Sequence, residues 1–127
     1  MNVDKDKIEQ IIKNRKIAHA YYSKKSEVYR KFSEMEQCTY KKGKLDGMQK
    51  ELIAVGISVV INCESCMEWH IKQAIDCGAN EAEIIEAIEV GIEMGGGPAT
   101  VSARFAMNVI NYYFNKTHQN KDNVKKR

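Results

Sequence analysis

The sequence predicts an all-α fold of five or six helices in a single domain. Three observations carry that expectation. Only one proline interrupts 127 residues, and proline is the residue a helix interior tolerates least. Apolar residues recur at spacings of three and four, the period of a helix face. Ser26, Asn80 and Gly78 stand where helix starts and stops need them. The length suits one core, and 43% apolar with 29% charged residues excludes wholesale disorder.

The first helix is expected over residues 4–25, with Ile8, Ile11, Ile12 and Ile17 among lysines and glutamates. Ser26 then caps a second, to Tyr40, with Val28, Phe32 and Met35 on one face. Residues 41–47 read as a loop. From Met48 to Ile61 the chain is apolar nearly all round, so this third helix is expected to be buried on most sides. The Asn62–Cys63 region breaks it. A fourth helix runs from Glu64 to Cys77 and stops at Gly78. Asn80 caps the fifth, whose acidic first turn suits the helix dipole and whose buried stripe is Ile84, Ile85, Ile88 and Ile92. Pro98 opens the last, carrying Val101, Phe105, Val109, Tyr112 and Tyr113. After Phe114 a polar, basic tail is expected to fray. The domain reading is an N-terminal helical extension (1–30), a helical core (31–115) and a basic, flexible tail (116–127).

Net charge is +3, unevenly spread: +6 over residues 1–50, −7 over 51–115 and +4 over 116–127. In the absence of a nucleic-acid motif, this reads as a solvated helical face, or as basic and acidic segments paired within a fold or oligomer. No nucleic-acid or membrane partner is expected. The longest apolar stretch, 52–61, is half the roughly 20 residues a bilayer requires. The N-terminus carries no apolar signal segment, so the expected setting is cytoplasmic.

Cysteines in a reducing compartment are more often fillers, metal ligands or redox groups than structural disulfides. Of Cys38, Cys63, Cys66 and Cys77, the middle two form a C-x-x-C pair followed four residues later by His70. On a helix these three share one face, with neighbouring side chains about 5–6 Å apart. A helix N-terminus favours a thiolate, and an imidazole can take the thiol proton. One face thus supplies a nucleophile, a resolving thiol and a base. The competing readings are a zinc site using Cys63, Cys66, His70 and one of Cys77 or Cys38, and two inert buried cysteines. His19 and His118 read as surface residues, the Tyr21–Tyr22 and Tyr112–Tyr113 pairs as packing or interface groups, and Trp69 as a wall of the site. Glu64 and Glu68 would raise a thiol pKa if close, so they are expected to point away.

The stretch from Phe32 to Tyr112 resembles the carboxymuconolactone decarboxylase superfamily, in its alkylhydroperoxidase-D-like branch. The resemblance rests on residues 50–54, on Cys63, Cys66 and His70, on 79–84 and on 94–99. It implies an all-helical, oligomeric protein, a trimer or hexamer. It also implies a thiol peroxidase or disulfide oxidoreductase whose catalytic set is Cys66, Cys63, His70 and Glu51. Glu51 enters through the resemblance alone: along their helix axes Glu51 lies roughly 18 Å and His70 roughly 10 Å from Cys63. The reaction needs no cofactor or metal. Its substrates are a peroxide or disulfide and a dithiol reductant, which can be a lipoyl group on an adaptor protein. Ser65 stands where the peroxidase pattern has a histidine. Cys66 is expected to attack and Cys63 to resolve, because His70 lies one turn from Cys66 and two from Cys63. The alternatives are a lactone-acid decarboxylase and a non-enzymatic redox-responsive or zinc-binding oligomer.

Overall fold

The computed structural model describes the backbone of residues 4–125 and the side chains of residues 4–115. Among the described residues there are six helices and no strand: α1 (Lys5–Lys25), α2 (Glu27–Thr39), α3 (Gly47–Val60), α4 (Glu64–Asp76), α5 (Glu81–Gly95) and α6 (Gly97–Lys125). No helix among them is long and apolar enough to cross a membrane.

The ends follow from local chemistry. Ser26 accepts from the Tyr29 amide and starts α2. Asp46 with Gln49, and Asn80 with Glu83, form reciprocal capping boxes at α3 and α5. α4 stops at Gly78, whose φ of 101° only glycine adopts freely. There the Ala79 amide bonds the Ala74 carbonyl at 2.9 Å and the Gly78 amide that of Ile75.

The core is built by α3 to α6, with Ile8 of α1 added to it. Val55, Val59, Met67, Ile71, Ile84, Ile88, Phe105 and Val109 are buried together. α3 and α5 approach backbone to backbone. A Cβ at Gly91 would lie 2.6 Å from the Gly56 carbonyl oxygen, and one at Gly56 would lie 2.9 Å from the Ala87 oxygen. Glycine at both positions is what permits the contact.

Several sequence expectations need correction. α3 is not buried on most sides, because a single chain supplies neighbours on one flank only. Ile53, Ile57, Val60 and Ile61 remain exposed, Ile57 at 54%. With Val90 and Met94 of α5, three of these residues line an apolar groove of about 620 Å³. Ile17 of α1 and Val28, Phe32 and Met35 of α2 are exposed too, as is Val101 of α6. Ala99, Ser102 and Ala106 share the inward face of α6 with Phe105, Val109 and Ile110. The backbone of α6 continues as helix past Phe114 to Lys125. The side chains of 116–127, including His118 and the basic residues expected in a tail, lie outside the described residues.

Candidate active site

The site begins at the α3–α4 connection. Ile61 ends α3, and Asn62 adopts φ 54°, a left-handed conformation that asparagine tolerates better than most residues. That turn lets the Asn62 amide bond the Val59 carbonyl and the Cys63 amide bond the Ser58 carbonyl at 3.0 Å. This is the same double closure that ends α4. It delivers Cys63 to the N-cap of α4, where its Sγ accepts from the Cys66 amide at 3.2 Å. The two cysteines are joined in a disulfide, with Cα atoms 5.1 Å apart, and both are half-buried. Cys38 and Cys77 are free and exposed.

One turn after Cys66, His70 meets Glu51. The imidazole Nδ1 lies 2.7 Å from the Glu51 Oε2, and Glu51 is only 6% exposed. The contact is direct and lies within one chain, so no water or neighbouring subunit is needed to make it. With Glu51 ionised, Nδ1 carries the hydrogen and donates, leaving Nε2 as the ring's acceptor. The structure therefore brings Glu51 of α3 to His70 of α4, and joins Cys63 to Cys66 one turn earlier on α4. Ser65 is exposed. Among the described residues no group of three or more histidine, cysteine or acidic side chains is arranged to hold a metal ion.

Tyr40, just past α2, is an aromatic neighbour of the histidine. Its ring centroid is 5.4 Å from that of His70, with the planes tilted by 33°. Burial first, then the negative charges of Glu51 and Glu36, push its hydroxyl above the ordinary tyrosine value. Cys77 is raised likewise, first by desolvation and then by Glu51.

Glu64 and Glu68 turn towards α1 and α6. Glu64 pairs with Lys7 at 2.8 Å in an exposed contact. Glu68 is fully buried, which sequence reasoning missed. Its two oxygens are held by Arg15 and by the Tyr113 hydroxyl. Desolvation, followed by the bond to Glu68, holds the Tyr113 hydroxyl well above its usual pKa. Arg15 also covers the Trp69 ring, 4.7 Å from its centroid, so Trp69 packs against α1. The signal for Glu68 was its place at the edge of the Met67–Ile71–Ala74 stripe. A carboxylate on an inward face requires a cation or hydroxyl partner. Tyr40 had no such signal, since it stands at the very end of the second helical segment and apart from the Val28–Phe32–Met35 face. His19 is exposed, as expected, and bonds the Tyr29 hydroxyl at 3.0 Å.

An uncharacterized protein of Cupriavidus necator is 38% identical over 65 residues, 51% of this chain and 58% of its own length. Uncharacterized protein 4 of the cox locus of Paracoccus denitrificans is 38% identical over 79 residues, 62% of this chain and 71% of its own. The match thus spans little more than half of the first relative. A carboxymuconolactone decarboxylase family protein of Legionella pneumophila, solved in its apo form, superposes with a TM-score of 0.79 at 31% identity. The superposition covers 84% of this chain and 96% of that one. A family protein of Thermotoga maritima shares the fold, with a TM-score of 0.79 at 24% identity over 88% and 95% of the two chains. The sequence model of the family matches residues 26–108, which hold all of α2 to α5, the disulfide and the Glu51–His70 pair. By that match and the shared helical architecture, the chain belongs to the carboxymuconolactone decarboxylase family.

Proposed function

We propose that this protein is a thiol oxidoreductase of the alkylhydroperoxidase-D-like kind, reducing a peroxide or a disulfide at the Cys63–Cys66 pair. One observation carries the reading. A buried carboxylate orients an imidazole at 2.7 Å, one helical turn from a cysteine pair at a helix N-terminus. That arrangement supplies a thiolate, a proton acceptor and a resolving thiol without any cofactor.

In the peroxide reaction, His70 takes the Cys66 thiol proton and the thiolate attacks one oxygen of ROOH. An S–O bond forms and the O–O bond breaks. The departing alkoxide takes a proton and leaves as ROH, and the sulfur becomes a sulfenic acid. The Cys63 sulfur then displaces the hydroxyl from Cys66. The S–S bond forms and water leaves with the Cys63 proton. An external dithiol, such as a lipoyl group on an adaptor protein, exchanges with this disulfide and is itself oxidised. The hydrogen bond that the Cys66 amide donates to the Cys63 Sγ suits this division of labour. When the disulfide opens at Cys66, the charge released on Cys63 sits at a helix cap. The cycle suits a reducing, cytoplasmic setting. The exposed α3–α5 groove supports a homo-oligomer, a trimer or hexamer, in which a second copy covers it.

Peroxide and disulfide consumption measured against a panel of dithiols, dihydrolipoamide included, tests the reading. Turnover is expected with at least one pair. His70→Gln should lower it by about 10²–10⁴-fold. Cys63→Ser should consume one equivalent of peroxide and accumulate a trappable sulfenic acid on Cys66. If Cys66→Ser does so instead, the roles are reversed. No turnover with any pair, or turnover unchanged in both cysteine variants, overturns the proposal.

A further inference from the structure

Glu51 holds His70 at one atom. A single hydrogen bond fixes the position of Nδ1 but leaves the plane of the ring to be set by whatever lies on its faces. The Tyr40 ring is its aromatic neighbour, 5.4 Å away between centroids with the planes tilted by 33°, and the chain around Tyr40 is tied down. The Lys50 ammonium donates to the carbonyls on either side of it, Thr39 at 2.9 Å and Lys41 at 2.6 Å. Lys50 is the residue next to Glu51 on α3. The same turn of α3 therefore holds both the partner of Nδ1 and the segment that carries the ring.

We propose that Tyr40 is a positioning residue for His70, clamped in place by Lys50 and acting on the cysteine pair only through the imidazole. This rests on the reading of His70 as the base for the pair. The tyrosine ring fixes the imidazole plane, keeps water from one face, and presents a π surface to the cation that forms when the imidazole takes a proton. Its hydroxyl keeps its proton at neutral pH as any tyrosine does, and burial with the Glu51 and Glu36 charges moves its ionisation further up, so it adds no competing anion. The ring rather than the hydroxyl carries the effect, and phenylalanine should replace it.

The reduced full-length protein is treated with iodoacetamide at pH 7, and alkylation of Cys63 and Cys66 is followed by mass spectrometry. This measurement needs no oxidant turnover. Circular dichroism confirms helicity for each variant. Tyr40→Ala should slow alkylation of the pair about two- to tenfold, the range a lost cation–π contact of ordinary size converts to. Tyr40→Phe should restore the wild-type rate. Lys50→Met, which frees the segment without touching the ring, should move the rate in the same direction. In a His70→Gln background Tyr40→Ala should change nothing further, because the residue it positions has gone. Wild-type rates in Tyr40→Ala, failure of Tyr40→Phe to rescue, or an undiminished Tyr40→Ala effect without His70 would each overturn the proposal. An unchanged rate in His70→Gln itself would overturn the base assignment and this inference with it. If His70→Gln is slow and Tyr40→Ala is not, the inference alone fails.

Discussion

Glu51→Gln is the sharpest separation of chemistry from structure that this site offers. The substitution keeps the side-chain volume, and the amide oxygen can still accept from Nδ1 at the 2.7 Å contact. What it removes is the charge. A hydrogen bond to a charged group contributes about 1.5–3 kcal/mol and one between neutral groups about 0.5–1.5, so the difference is about 1–1.5 kcal/mol. That difference acts mainly on the protonated imidazole. While His70 is neutral the loss in stability should stay below about 1 kcal/mol. When His70 takes the thiol proton, the full difference enters the barrier and slows the step about tenfold. Glu51→Ala is the contrasting variant. It leaves Nδ1 without an acceptor beside a new cavity at a position only 6% exposed, and should cost about 2–4 kcal/mol. Urea unfolding gives the stability, and iodoacetamide alkylation of the reduced pair gives the rate. A Gln variant that reacts at the wild-type rate, or one that loses more than about 3 kcal/mol while reacting normally, would refute a chemical role and leave a structural one.

Stability should fall as pH rises above 10. Tyr113 and Tyr40 keep their protons in the folded protein beyond the pH at which the unfolded chain releases them, so the folded state binds more protons there and is progressively penalised. Urea unfolding at pH 8 and 10.5 should show a smaller drop for Tyr113→Phe, and an equal drop would remove Tyr113 from the account. Arg15→Met leaves the fully buried Glu68 with only the Tyr113 hydroxyl among the partners described above. Because Arg15 is itself a quarter exposed, the loss should be about 2–3 kcal/mol rather than the larger cost of a fully buried pair. Unchanged stability would remove the Arg15–Glu68 contact from the account. Gly91→Ala drives a methyl to 2.6 Å from the Gly56 oxygen and should cost about 1–3 kcal/mol. Gly97→Ala meets nothing within 4 Å and should fall within about 0.5 kcal/mol of the parent. Equal melting temperatures in the two variants would contradict the close α3–α5 approach.

The helices were legible because their signals are local. Ser26, Asn80 and Gly78 act on bonds within four residues of themselves, and each does what its position implies. The groove was not legible, since an apolar run such as 52–61 says how much surface wants burial and nothing about which neighbour provides it. The C-x-x-C pair and its histidine followed from spacing on one helix. Glu51 did not, because counting rise along two axes ignores the Ile61–Cys63 turn and the reach of two side chains. The resemblance placed it where axial counting could not. Arg15, Glu68 and Tyr113 come from three helices, and no sequence period links them. Asn62 stood only as a break, although its left-handed turn is what presents Cys63 to α4.

One sulfur of the disulfide is also the sulfur that starts a helix. Cys63 Sγ accepts the Cys66 amide hydrogen as the N-cap of α4, so opening the disulfide to a Cys63 thiolate would turn a weak neutral acceptor into an anionic one. The free energy by which a thiolate secures the helix end is the same free energy by which the helix end favours the reduced pair, and neither can be altered alone. Tightening the start of α4 therefore makes the pair a stronger oxidant, while fraying it makes the disulfide harder to open. A modification that occupies Cys63 would loosen the first turn beneath His70. The redox state of two atoms is in this way written into the backbone, where amide hydrogen exchange at Ser65 and Cys66 can read it without following any reaction.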